Sequence, residues 1–107
     1  MKLSLIIPAK DKNDPKLADL LRSIEAQDFP KNEMEVLVIT EGTSESAKAI
    51  GIRKAKGEVI GILASDNELM YPETIRWQYE DARVFGSSSP FASITQNMMT
   101  FLIVTSR

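Results

Sequence analysis

The sequence predicts an α/β fold: a three-layer α/β/α arrangement around a mostly parallel sheet. Short apolar runs rich in Val and Ile alternate with segments whose apolar residues recur at helical spacing, which gives the order β-α-β-α-β-α-β. The apolar runs are continuous and do not alternate with polar residues, as is typical of strands that helices cover on both faces. A length of 107 residues suits one domain, and we expect residues 1–107 to form it.

Two prolines delimit the first predicted strand and the first predicted helix. Residues 3–7 (LSLII) predict a buried strand that Pro8 ends, and a polar loop follows. Asp14 and Pro15 are typical of a helix start, because an acid at the N-cap accepts backbone hydrogen bonds and proline suits the first helical position. Leucines at helical spacing extend this helix to about Asp28.

The same alternation continues through the rest of the chain. A second helix is predicted over residues 44–56, with Gly57 as its C-terminal cap, and Pro72 begins a third helix. Ile75, Tyr79 and Ala82 mark the inner face of that third helix. The remaining strands are predicted at residues 34–40 (MEVLVIT), 58–63 (EVIGIL) and 100–105.

Composition excludes several classes of function. The chain has no Cys and no His, which removes thiolate and imidazole ligands, so any metal ion is a hard cation such as Mg²⁺ or Mn²⁺ held by oxygens. The formal net charge of −2 gives no basic excess for nucleic acid. No apolar run is long enough to span a bilayer, and the absence of Cys suits a reducing compartment, so we expect a cytoplasmic protein. A domain this small buries limited surface, and we expect a homodimer, or chain beyond these residues, to cover part of it.

Three polar clusters follow the first three predicted strands, at residues 8–11, 40–43 and 65–67. Ligands bind parallel sheets at this edge, and an acid such as Asp66 could hold a cation on a diphosphate that brings its own oxygens. Glu41 with Gly42 could accept a hydrogen bond from a base or ribose, and Lys10 and Lys12 could meet phosphate or lie along a base. Each cluster also has an ordinary explanation as the polar end of a strand, and Asp66 as the cap of a loop.

Four motifs, in order and spacing, resemble the N-terminal half of the family 2 glycosyltransferases of the GT-A fold. They are SLIIPAKD, LADLLRSIEAQDFP, VITEGT and GIRKAKGEVIGILASDNELMYP, and the resemblance covers residues 2–82. It implies a Rossmann-like sheet that binds a nucleoside-diphosphate sugar across the strand ends, usually with a divalent cation, for transfer to an acceptor. The sugar, the base and the acceptor are not specified by these motifs.

The resemblance also implies roles for individual residues. Pro8, Ala9 and Lys10 belong to the loop that lines the base pocket, and Glu41, followed by Gly42, stands where the family has an acid that contacts the base. Asp66 matches the last Asp of the family's D-x-D motif, so it is the expected metal ligand and substrate contact.

The chain departs from the family pattern at three acidic or amide positions. Ala64 replaces the first Asp of the metal motif, Thr40 replaces the first Asp of D-D-G-S, and Asp11 replaces an Asn. Inverting transfer needs a general base, and the sequence identifies none, so the catalytic residues stay unknown. Two alternatives remain open at this point: a receiver-like signalling domain, with acids at Asp11, Asp14 and Asp66, and a non-catalytic interaction domain with a degenerate site.

Overall fold

A computed structural model of the chain describes residues 1–65, 69, 71–85 and 100–103. In this part of the chain, one sheet of four strands is accompanied by three α-helices and a single 3₁₀ turn, Lys31–Glu33. The strands are β1 (Leu3–Pro8), β2 (Met34–Ile39), β3 (Val59–Ile62) and β4 (Thr100–Ile103). The helices are α1 (Pro15–Glu25), α2 (Ser44–Lys54) and α3 (Thr74–Phe85).

The sheet has the strand order β2-β1-β3-β4 and is mostly parallel, as predicted. β1 lies between β2 and β3 and runs parallel to both, with Leu3 opposite Met34 on one side and Val59 on the other. β4 pairs with β3 in the antiparallel direction. The antiparallel β4 counts against the receiver-like alternative, because doubly wound folds of that kind are built mostly from parallel strands.

Helices cover both faces of the sheet, which confirms the three-layer arrangement. On one face, α1 and α3 pack their apolar residues on odd-numbered residues of β1, forming a core that includes Leu5, Ile7, Leu20 and Ile75. On the other face, a smaller buried cluster of Ile6, Ala55 and Ile60 lies where α2 contacts the sheet. Because the chain crosses one face to reach β2 and the opposite face to reach β3, the strand order reverses at β1. This reversal creates a crevice at the carboxyl ends of β1 and its neighbours.

Three predicted helix boundaries differ from the structure, and the bounds of β1, β2 and β3 differ from the predicted ones by single residues. α1 ends at Glu25, three residues before the predicted limit at Asp28, and α3 begins at Thr74 after a turn that contains Pro72. The assignment of Gly57 as the cap of α2 is wrong, because the helix ends at Lys54. The last two residues of the predicted fourth strand, 104 and 105, lie outside the described residues.

Position 57 instead needs a glycine because its backbone lies too close to β1 to leave room for a side chain. Its backbone N–H donates to the Ser4 Oγ at 2.8 Å, and a Cβ atom on Gly57 would lie 2.6 Å from the Ser4 backbone nitrogen. The Ser4 hydroxyl in turn donates to Glu35 on β2 at 2.6 Å, and the Lys56 N–H donates to the same carboxylate oxygen at 2.7 Å. This network, buried at Ser4 and Gly57 and exposed at Lys56, fixes the entry of the chain into β3.

A glutamine two residues after α1 connects the end of that helix to the start of α3. The Gln27 side chain is 5% exposed, donates from Nε2 to the Tyr71 carbonyl at 2.7 Å and accepts at Oε1 from the Ile75 N–H at 2.8 Å. The Asp28 N–H adds a bond to the Pro72 carbonyl at 2.7 Å. Ile75 lies in the first turn of α3, where backbone donors lack a partner within the helix, so Gln27 caps α3 from another element.

Candidate functional site

A groove of about 580 Å³ lies at the carboxyl edge of the three parallel strands. Its walls come from the segments that follow β1, β2 and β3 and from the first turns of α1 and α2. The lining residues are Pro8 at the end of β1, with Ala9 and Lys10 after it; Asp14 and Lys16 at α1; Glu41, Gly42, Thr43, Ala47 and Lys48 before and within α2; and Ile62, Leu63, Ala64 and Ser65 at the end of β3.

The position of Pro8 explains why the groove begins where it does. β1 and β3 pair only as far as Ile6 and Ile62, followed by a bond from the Leu63 N–H to the Ile6 carbonyl at 3.0 Å. On the other side, Pro8 still lies opposite Ile39 of β2. Proline has no N–H, and here it occupies a position beyond the last β1–β3 pair, so the central strand loses no ladder bond to it. The sheet therefore stops pairing on the β3 side at the place where the groove starts.

A turn at Gly42 leads the chain from the end of β2, along one wall of the groove, into α2. Gly42 has φ +70°, in the left-handed region, and a Cβ atom there would lie 2.2 Å from the Ser46 Oγ. Thr43 and Ser46 form a reciprocal capping box, in which the Thr43 N–H donates to the Ser46 Oγ at 2.8 Å and the Ser46 N–H donates to the Thr43 Oγ1 at 3.2 Å. Only glycine combines this backbone conformation with this close approach, so Gly42 holds Glu41 at the groove.

Five charged side chains line the groove: three lysines and two carboxylates. The Asp14 carboxylate already accepts the Lys16 backbone N–H at 2.9 Å, which caps α1 as predicted. The Glu41 carboxylate is exposed and has no hydrogen-bond partner among the described residues, so it is the groove acid that is available to a ligand. The site can therefore offer both a hydrogen-bond acceptor and positive charge.

The end of β3 contributes four small or apolar residues, 62–65, and no acid within the described part of the chain. Leu63 is fully buried, Ala64 is exposed and Ser65 is half-buried. Asp66, the expected metal ligand, lies outside the described residues. Among residues 1–65, 69, 71–85 and 100–103, no group of three or more His, Cys, Asp or Glu is placed to hold a metal ion. The metal site stays a prediction.

The structure brings together five of the six substrate-contact residues that the sequence predicted, and it adds three charged residues. Pro8, Ala9, Lys10, Glu41 and Gly42 all line the groove. Their shared location was predictable because the carboxyl ends of parallel strands meet at one edge. The added residues, which sequence reasoning did not place in the site, are Asp14, Lys16 and Lys48. They follow strand ends by six to nine residues and lie at the N-cap or in the early turns of the crossover helices. That pattern could have identified them.

Comparison with known proteins supports the fold. No family model matches the chain, and no curated protein matches its sequence. The structure is similar to that of TarS from S. aureus, a GT-A-type glycosyltransferase. For TarS the TM-score is 0.65 at 23% identity, over 81% of this chain and 20% of that chain. For TarS 1–349 in complex with UDP-GlcNAc the TM-score is 0.62, also at 23% identity, over 81% of this chain and 32% of that one.

A third structure, TarS 1–349 in complex with UDP, matches with a TM-score of 0.62 at 23% identity, over 81% of this chain and 33% of that chain. The chain thus spans about a third or less of the length of these structures. At this identity the similarity shows the fold, which is a GT-A-type α/β fold as the sequence predicted. Family 2 is not confirmed by these comparisons.

In the described part of the chain, no helix is long and apolar enough to cross a membrane. The cytoplasmic location and the homodimer stay predictions from the sequence.

Proposed function

We propose that the groove is the donor site of a glycosyltransferase and binds a nucleoside-diphosphate sugar. One observation carries the proposal: residues predicted from two separate strand ends line a single groove, at the edge where this fold class binds ligands. The fold is shared with structures of TarS in complex with UDP and with UDP-GlcNAc, so a uridine nucleotide is the first ligand to test.

We assign the two walls of the groove to the two halves of the ligand. Glu41 provides a hydrogen-bond acceptor for the base or ribose, and Gly42 leaves room for it beside the backbone. Lys10 and the start of α1 provide positive charge for the diphosphate. The groove offers oxygen donors and no thiolate or imidazole, which suits Mg²⁺ or Mn²⁺, and Asp66 would hold that cation. When bound, such a cation stabilises negative charge on the departing diphosphate.

The proposal includes two more specific claims, which are membership of family 2 and transfer of the sugar to an acceptor. Four sequence motifs in the expected order support the family assignment. Transfer requires a base that removes the proton of the acceptor hydroxyl, and we leave that residue unassigned. Donor binding is therefore the part of the function that the groove supports most strongly.

Titration of the protein with UDP and UDP-GlcNAc, with and without MnCl₂, tests the proposal. We expect both to bind and to raise the melting temperature, because a ligand specific to the native state stabilises it. Asp66→Ala should remove the gain in affinity that Mn²⁺ provides. Glu58→Ala is a matched control, because Glu58 is an exposed acid before the amino end of β3, at the opposite edge of the sheet. Equal Mn²⁺-dependent gains in the Asp66→Ala variant and the native protein would show that the metal assignment is wrong.

A non-catalytic nucleotide-binding domain is the second candidate, and Ala64 favours it. This residue is exposed in the groove where the family's metal motif has its first acid. An assay of UDP release from UDP-GlcNAc separates the two candidates. Release above the background hydrolysis rate supports a transferase, and binding without release supports the second candidate.

A further inference from the structure

The groove concentrates lysines from three separate segments of the chain. Lys10 lies in the loop after β1, Lys16 is the second residue of α1, and Lys48 is the fifth residue of α2. A lysine ammonium is a compact point charge with three donors that binds phosphate oxygens well. The three side chains reach the same groove although none is close to another in sequence, so the fold, and not a local charge run, brings them together.

These lysines are largely free to bind a ligand. Within the described part of the chain, the ammonium groups of Lys10 and Lys16 have no hydrogen-bond or ion-pair partner. Lys48 pairs with Glu45 at 3.3 Å, but the Glu45 side chain is 86% exposed. An exposed ion pair of this kind contributes little stability, so Lys48 can exchange Glu45 for an anion at small cost.

Fewer carboxylates than lysines in the described groove are available to a ligand. Ala64 contributes only a methyl group, and the Asp14 carboxylate is engaged with the first turn of α1. In the described groove, Glu41 is the remaining acid, against three lysines. Among the described residues, a divalent cation therefore finds few ligands in the groove, whereas a diphosphate finds positive charge from three segments of the chain.

We propose that Lys10, Lys16 and Lys48 bind the diphosphate directly, so that a nucleoside diphosphate binds this groove without a divalent cation. The proposal rests on the proposed function, since it concerns the same ligand. It adds that the lysines supply the main electrostatic attraction and that a cation at Asp66 increases an affinity that already exists. Because exposed charges are screened by salt, the cation-free affinity should fall as the NaCl concentration rises.

Isothermal titration with UDP and with uridine, in EDTA and at low ionic strength, tests the proposal. We expect UDP to bind in EDTA and the triple variant Lys10→Ala/Lys16→Ala/Lys48→Ala to weaken that binding at least about tenfold, the effect of losing several charge-assisted contacts. Uridine has no phosphate, so its affinity should be unchanged in the triple variant. Lys54→Ala is the matched control, because Lys54 is an exposed lysine in the last turn of α2, away from the groove.

The outcomes separate this proposal from the function on which it rests. UDP binding that occurs with Mn²⁺ and is absent in EDTA overturns the lysine proposal and leaves the donor site standing. No UDP binding in either condition overturns both. An equal loss for uridine and UDP in the triple variant shows that the lysines do not act on phosphate, and overturns the lysine proposal. If the triple variant does not fold, each single variant should weaken UDP binding in EDTA by about two- to fivefold, and unchanged affinities in all three overturn the proposal.

Discussion

Gln27 gives a sharp test of how the chain holds α1 and α3 together. Replacing it with Ala removes the donor to the Tyr71 carbonyl and the acceptor of the Ile75 N–H. The two partners differ in their surroundings. Tyr71 is 43% exposed, so water has a route to its carbonyl, whereas Ile75 is fully buried and its N–H would lose its partner in the protein interior. The cost should therefore come mainly from the Ile75 side.

The magnitude follows from these two contacts. The bond to the Tyr71 carbonyl contributes about 1 kcal/mol net, and the buried Ile75 N–H left without a partner costs about 1–3 kcal/mol. We expect Gln27→Ala to lower the free energy of unfolding by about 2–4 kcal/mol. With a urea m-value of about 1.5 kcal/mol/M, the unfolding midpoint should shift by roughly 2 M.

Urea unfolding can be followed by the fluorescence of Trp77, the single tryptophan, which lies in α3. Glu25→Ala is the control: Glu25 is exposed at the end of α1, and its removal should change stability by no more than about 0.5 kcal/mol. If Gln27→Ala and Glu25→Ala unfold at the same urea concentration, the assignment of Gln27 as the cap of α3 is refuted.

Two glycines give further predictions, both measured by urea or thermal unfolding. Gly57→Ala places a methyl group 2.6 Å from the Ser4 backbone nitrogen, which cannot rotate away. We expect the free energy of unfolding to fall by about 3 kcal/mol. A fall of less than about 1 kcal/mol would contradict the close packing. Gly42→Ala combines a left-handed backbone with a contact to the Ser46 Oγ, and should cost about 1–3 kcal/mol. The double variant Gly42→Ala/Ser46→Ala should regain the part of the stability that the clash with Ser46 Oγ removes. If it regains none, the whole loss comes from the left-handed backbone conformation.

The strands and the start of α1 could be predicted because their causes are local. Three continuous apolar runs became β1, β2 and β3, and Asp14 caps α1 through its own side chain. The direction of β4 could not be predicted, because an apolar run carries no information about the direction in which a strand pairs. The role of Gly57 was missed for a similar reason. Its contact with Ser4 joins residues 53 positions apart, whereas the cap rule considers only the neighbouring helix.

The candidate site was predictable to the extent that it follows from strand ends. Pro8, Ala9, Lys10, Glu41 and Gly42 come directly after two strands, and they line the groove. Lys16 and Lys48 enter it from helices, so their positions depend on how each crossover packs on the sheet. In the sequence, Gln27 is one residue of the motif LADLLRSIEAQDFP, and the motif does not say why a glutamine is needed there. The structure gives the reason, which is a pair of hydrogen bonds to the start of α3.

The most direct test of the central claim, that the groove binds a nucleoside diphosphate, is to locate UDP on the folded protein. In a titration of the ¹⁵N-labelled protein followed by NMR, we expect the amide signals of residues 9–10, 41–43 and 63–65 to shift. The signals at the opposite edge of the sheet, residues 31–34 and 57–59, should stay in place. Shifts confined to that opposite edge, or no shifts at millimolar UDP, would contradict the account.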